Sequence, residues 1–374
     1  MALSPPRLSS PQMVMIRELT EEDLPAVVGL FERVYPEHRW SSRQACERYF
    51  REIFFANPWR DLELPSWVAE ERGATVGFGG VLPRRMAFGA RALRVAVGSQ
   101  LMVHPEWRHG LVGLQLLKRV LSGAQDMLVT DGANDQVRRL WLAVGGAIPI
   151  LQNLHWTRLL RPARYALALL EKTGDRHPLQ FAARAPCALA DAVAARLKPN
   201  RFDQEDDNLT EEALDAEGMH RHLPEVVKGG YPLHSLYDRD SLKWVFGQAA
   251  RKTRHGRLRA RAVLERGRLL GWFIYYAHAG EINEVLQLAA CEGGFDRVLR
   301  RLFSDAWRQG ATAVRGRLDP VHLQQLSDRH CWMRREGAWT LIHSRHADLL
   351  AAIERGTAGI SRLDGEWWQR FIGG

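Results

Sequence analysis

Cysteine is scarce in these 374 residues: Cys46, Cys187, Cys291 and Cys331 stand far apart, and no two form a C-x-x-C pair. That spacing argues against a zinc site or a disulfide framework, and it predicts free, buried thiols in a reducing compartment, the cytoplasm. Long apolar runs are missing too. The nearest approach to a membrane span, residues 141–151, is short and holds Gly145, Gly146 and Pro149. The N-terminal tail, MALSPPRLSSPQ, has no apolar core of the kind a signal peptide needs. Acidic residues are outnumbered: 52 Lys and Arg against 43 Asp and Glu give a net charge of +9, which predicts an anionic partner. Nucleic acid, a phosphorylated cofactor, an acidic carrier protein and a lipid head group all satisfy that charge.

What is present is the composition of a globular protein, 46% hydrophobic and 25% charged. The length suits two domains. The stretch that organises the chain is SQLMVHPEWRHGLVGLQLLKRVL, residues 99–121. An apolar segment (Leu101, Met102, Val103) runs into a basic turn (Arg108, His109, Gly110, Leu111, Val112, Gly113), and an amphipathic run follows (Leu114, Leu116, Leu117, Val120, Leu121). This reads as strand, turn, helix. Glycines let a backbone approach a ligand closely, the first N–H groups of the helix point at whatever anion lies there, and Arg108 adds a fixed positive charge.

The string L-x-V-x-P-x-x-R with a Gly-spaced turn, carried here by Leu101, Val103, Pro105, Arg108 and Gly113, resembles the acyl-CoA-binding segment of the GNAT superfamily of acyltransferases. The resemblance implies an α+β fold with two GNAT-like domains, each a mixed, mostly antiparallel twisted sheet flanked by helices. It assigns Leu101, Met102, Val103, residues 108–113 and Asn134 to binding acetyl-CoA or another acyl-CoA, with no metal. Two departures stand out. Leu111 occupies the place of the family's first glycine, so that either the turn is rearranged around Gly110 or cofactor binding is weakened or lost. In the helix after Asn134, Trp141 replaces the usual tyrosine acid, and an indole N–H is no general acid near neutral pH.

Taken in order, residues 1–13 are a tail and residues 14–160 the first domain. Met15 to Leu19 alternates as a strand, Thr20 with Asp23 gives a capping box, and a helix with Leu24, Val27, Val28, Leu30 and Phe31 follows. A second helix is expected over residues 42–55, a hairpin over 66–81, strands over 92–97 and 127–130, and closing strands over 147–150 and 153–159. Residues 161–207 form a helical connector ending in the charge run 203–207, with membrane-surface helices as the sharper alternative. Residues 208–374 repeat the order of the first domain. There YDRDSLKW, residues 237–244, is similar to a segment of tandem GNAT proteins from bacterial envelope and polysaccharide gene neighbourhoods. The turn that should hold phosphate in this half, Cys291-Glu292-Gly293-Gly294, has no basic residue, so the second domain reads as a degenerate repeat that shapes an acceptor cleft.

Acyl transfer to an amine needs a base, an acid and donors for the developing oxyanion. Base candidates are His104, Glu106 and Asp131, with Glu70 on the hairpin; Met102 and Val103 would supply polarising N–H groups on the family pattern. The implied partners are a small-molecule amine acceptor and an acidic acyl-carrier protein. Alternatives are a non-catalytic scaffold on the same frame and a transferase using aminoacyl-tRNA. The triplet His220-Arg221-His222 and the pair His330-Cys331 show no ligand spacing for a metal.

Overall fold

A computed structural model of the chain describes residues 14–38, 40–172, 185–191, 193, 208–227 and 230–369. The tail, the charge run 203–207 and most of the connector's second helix lie outside the described residues.

The first sheet begins with β1 (Met15–Glu18) and β2 (Trp67–Glu71), then the long hairpin β3 (Ala74–Phe88) and β4 (Arg91–Val103). β5 (Met127–Ala133) lies parallel to β4, because α3 (Val112–Leu121) crosses over between them. Two helices cover one face: α1 (Leu24–Val34), entered through the Thr20 and Asp23 capping box, and α2 (Arg43–Phe54), capped by Ser42 Oγ accepting from the Ala45 N–H at 3.1 Å. Leu24, Val28, Phe31, Phe50 and Ile53 meet Phe78, Leu82 and Val97 there. The other face carries α3 and α4 (Asp135–Ala143), with Val112, Leu116 and Trp141 against Val76, Val81 and Ala96. Covered on both sides, β3 is buried almost without alternation.

The second sheet takes up β6 (Leu154–Leu159), β7 (Leu209–Ala213), β9 (Arg257–Glu265), β10 (Arg268–Ala277), β11 (Ile282–Ala290), β12 (Ala313–Arg317) and β13 (Trp332–Arg335), in the spatial order β13-β6-β12-β11-β10-β9-β7. Short β8 (Leu233–Ser235) instead joins β3 in the first sheet and pairs with β15 (Ala358–Gly359). Helices again cover both faces: α8 (Phe295–Arg308) on one, and α6 (Ala216–Val227) with α7 (Arg239–Ala250) on the other. α5 (Pro162–Lys172) is the described part of the connector, together with a helical stretch at 185–191. Two short helices, α9 (Leu323–Asp328) and α10 (Ala347–Glu354), complete the set. None of the helices among the described residues is long and apolar enough to cross a membrane.

The sheets exchange strands. β6, expected to close the first sheet, pairs antiparallel with β12 and β13 in the second. Its place beside β5 is taken by β14 (Trp339–Ser344), which comes from the far end of the chain. The stretch 147–150 gives only a single bridge, Ala147 to Ile342, not a strand. The reason is visible on β6 itself: Trp156 fits against Phe303 and over Gly316, where a Cβ would come within 2.6 Å of the indole.

Candidate active site

Beyond their common start, β4 and β5 part company. They are paired only at Val95 with Met127, Ala96 with Leu128 and Val97 with Val129. On the other edge of β4 the register slips: Phe78 faces Met102, Gly80 faces Ser99, and Gln100 and Leu101 together oppose the single residue Gly79. This bulge bends β4 away from β5. Gln100 has φ of 53°, the left-handed region. Gly80, opposite Ser99, is required beside the bulge, because a Cβ there would stand 2.6 Å from the Ser99 carbonyl. Met102 and Val103, expected to present polarising N–H groups, remain in register with β3; the irregular backbone lies just before them.

The parted strands leave a gap of about 60 Å³, with Ser99, Gln100 and Leu101 on one wall, Thr130, Gly132 and Ala133 on the other, and Asn134, Val137 and Trp141 from α4 at one end. Asn134 Oδ1 caps α4, accepting from the Val137 N–H at 2.9 Å. Trp141 is buried and lies over Gly146, whose Cβ would meet the ring at 2.9 Å, so the indole is a wall of the gap with a packing role. Tyr35, at the end of α1, is the phenol on the lining.

The basic turn joins β4 to α3, and none of residues 108–113 is on the lining of the gap. Arg108 is exposed, its Nε reaches the Val103 carbonyl at 3.4 Å, and no carboxylate pairs with it among the described residues. His109 and Gly110 are exposed as well. By helix geometry the N–H groups of Val112, Gly113 and Leu114 have no intrahelical acceptor. Leu111 is 65% exposed, so its side chain stands in solvent and does not bury those donors. A Cβ on Gly110 would meet only the Trp107 carbonyl, at 3.4 Å, whereas one on Gly113 would lie in contact with the side chains of Val103 and Leu140, at 3.4 and 3.5 Å. Gly110 is therefore the open position of the turn, and Gly113 serves the packing of α3 on β4 and α4.

Of the sequence candidates for a base, only His104 and Glu106 lie together, Nδ1 3.9 Å from Oε2. His104 begins the turn after β4, its Nδ1 accepting from the Glu106 N–H at 3.4 Å and its Nε2 3.4 Å from Arg33, while the Glu106 side chain is 84% exposed. Neither lines the gap. Glu70 is held by Arg17 on the β1 edge. Asp131 is buried behind the gap: Arg317 donates to Oδ2 at 2.7 Å, and the N–H groups of Glu366 and Trp367 donate to Oδ1 at 2.8 and 2.9 Å.

That last contact introduces the group that sequence reasoning missed. The segment after β15 returns between the sheets and places Glu366, 2% exposed, on the lining of the gap with Thr130 Oγ1 donating to its carboxylate. Gly365 makes the approach possible, because a Cβ there would stand 2.3 Å from Asp131 Oδ2. A neighbouring chain of hydrogen bonds starts at the bulge: Gln100 Nε2 donates to Tyr49 Oη (2.7 Å), which donates to the Gln369 carbonyl (2.7 Å). Lys252 Nζ donates to the same carbonyl at 3.2 Å, over the Tyr49 ring, and burial pushes its ammonium down to about 8. Nothing local in residues 364–369 signals this role, since the site forms only when distant segments meet.

Set beside solved structures, the chain overlays a GCN5-related N-acetyltransferase from Anabaena variabilis with a TM-score of 0.58, over 90% of this chain and 74% of that one, at 12% identity. The fold is the GNAT fold. A probable N-acyltransferase from Enterococcus faecalis matches at a TM-score of 0.58 over 89% and 72% of the two chains, with 9% identity. The Saccharomyces cerevisiae N-myristoyltransferase, solved with bound myristoyl-CoA, matches at 0.51 over 95% and 85%, with 12% identity. No family sequence model matches the chain, and no curated protein matches it in sequence. Among the described residues no group of three or more His, Cys, Asp or Glu is placed to hold a metal ion.

Proposed function

We propose that the chain is an N-acyltransferase that takes an acyl group from an acyl-CoA thioester bound between β4 and β5 and delivers it to an amine. Three features on the GNAT frame carry this reading: a bulge-opened strand gap, an exposed Arg108 with no carboxylate partner among the described residues in the turn before α3, and a buried carboxylate, Glu366, on the gap's lining. Arg108 with the N–H groups of residues 112–114 would hold the pyrophosphate. The irregular backbone at residues 100 and 101 would donate to the thioester carbonyl as charge develops on its oxygen. Glu366 would take the proton from the attacking ammonium; the new C–N bond forms, the C–S bond breaks, and the thiolate leaves. With Trp141 in place of a phenol, solvent would protonate that thiolate. The two sheets are read as two GNAT-like units, of which the first holds the acyl donor.

Calorimetric titration with acetyl-CoA and a longer acyl-CoA tests the reading. Both Arg108→Ala and Gly110→Trp are expected to weaken binding at least about ten-fold, whereas Gly113→Trp would also disturb packing. Absence of binding by the unaltered protein to either thioester overturns it. In an amine-acceptor screen, Glu366→Gln is expected to lower kcat by roughly 10²-fold or more, with the affinity for acyl-CoA unchanged.

A further inference from the structure

The second sheet has a parted pair of its own. β11 and β12 are its parallel neighbours, joined by the crossover helix α8 as β4 and β5 are joined by α3. They too are paired at only three positions, Ile282 with Ala313, Asn283 with Val314 and Glu284 with Arg315, before they separate. The gap here is much larger, about 490 Å³, the volume of a small-molecule site. It follows β11 from Val285 to Ala290, about 17 Å at the rise of a strand, so its shape is elongated. Its walls are apolar: Trp156, Trp272, Leu286, Leu288 and Phe295, with Val226 of α6 as cover.

The polar groups on this lining choose among ligand classes. Gln152 is 2% exposed, and its Oε1 accepts no hydrogen bond among the described residues, so a donor on a ligand would complete it. The two guanidinium groups on the lining each face a carboxylate, Arg317 with Asp131 and Arg362 with Glu284, while Arg317 Nε has no hydrogen-bond partner among the described residues. Two carboxylates have hydroxyl and backbone donors and no cationic partner among the described residues. Asp319 receives Tyr231 Oη and the Val321 N–H; Asp364 receives Ser235, Tyr237 and Ser361. The turn before α8 carries Glu292, and its backbone is pinned to β10, where a Cβ on Gly294 would stand 2.6 Å from the Leu270 carbonyl. Nothing in this lining resembles the exposed Arg108 turn. A phosphate would meet three carboxylates, Glu292, Asp319 and Asp364, against two paired arginines and the imidazoles of His234 and His322.

We propose that the β11/β12 gap is a second ligand-binding site, shaped for an elongated apolar molecule with an amine head and unsuited to any phosphate-bearing cofactor. The apolar body lies along β11 between Trp156 and Trp272. The amine donates to Gln152 or faces Asp319 according to the end at which it sits. The site stands whether or not the first gap transfers an acyl group.

The test uses the full chain and three twelve-carbon probes below their micelle concentrations: dodecylamine, dodecanol and dodecyl phosphate. Binding is read by calorimetry and by the fluorescence of the lining tryptophans. Dodecylamine is expected to bind at least about ten-fold more tightly than dodecyl phosphate and more tightly than dodecanol. Asp319→Asn and Gln152→Leu, both close in size to the native residues, should each reduce the preference for the amine over dodecanol. Ala289→Trp, which fills the gap, should remove binding of both. Leu62→Ala, at an exposed position outside both gaps, should leave the order of the three probes as it is. Equal binding of all three probes, binding unchanged in Gln152→Leu and Asp319→Asn, or no binding of dodecylamine to the unaltered protein overturns the proposal.

Discussion

Arg317 reaches from the second sheet to the first, and its partner Asp131 is 1% exposed at the side chain against 6% for the arginine. Removing one member of such a pair leaves the other charged and buried without compensation, so Arg317→Met is expected to lower stability by about 3–5 kcal/mol, measured by urea unfolding. The double variant with Asp131→Leu should recover much of that loss. His155 lies in the same polar cluster, and burial beside Arg362, Arg317, Arg315 and Arg335 pushes its imidazole down to about 2. Since the unfolded chain takes up this proton near pH 6.5 while the folded chain does not, stability falls as pH drops from 6.5 toward 2. The slope is about 1.4 kcal/mol per pH unit for this residue. His155→Gln should flatten the unfolding free energy between pH 6.5 and 4 relative to the native protein. An unchanged slope would show that His155 is protonated in the folded state.

At the scale of elements, most of the order was legible because it rests on short-range chemistry. The Thr20 and Asp23 box and the hairpin expected over residues 66–81 are signals contained within a few residues. The parting of β4 from β5 could be expected from the parallel pair, and Leu101 and Asn134 do reach the gap. Glu366 was invisible: its role depends on Gly365 meeting Asp131, more than two hundred positions away. So was the crossing of β6 and β14, because alternation shows that a strand is half-buried without naming its neighbour. That crossing predicts the behaviour of a fragment. Residues 14–160 alone would carry β6 with no partner and β5 with an open edge, and should be insoluble or lack cooperative unfolding by circular dichroism. A soluble, cooperatively folded fragment would show the exchange to be dispensable.

At the scale of the molecule, each sheet is completed by a strand from the other half, and the segment ending at Gln369 is buried against both. Neither core can lose its partner and stay closed, so calorimetric unfolding is expected to show one transition with agreement between calorimetric and van't Hoff enthalpies. Two resolved transitions would contradict it. The two gaps differ as the sheets around them differ: one is narrow and carries Glu366, the other is roomy, with apolar walls and the carboxylates of Glu292, Asp319 and Asp364. The exchange of β14 into the first sheet also fixes an order in time. During synthesis the edge of β5 emerges roughly 200 residues before the strand that covers it, an interval of about 10–40 s at ordinary rates of elongation. Throughout that interval the nascent chain displays an uncovered, apolar strand edge, so holding chaperones are expected to bind it.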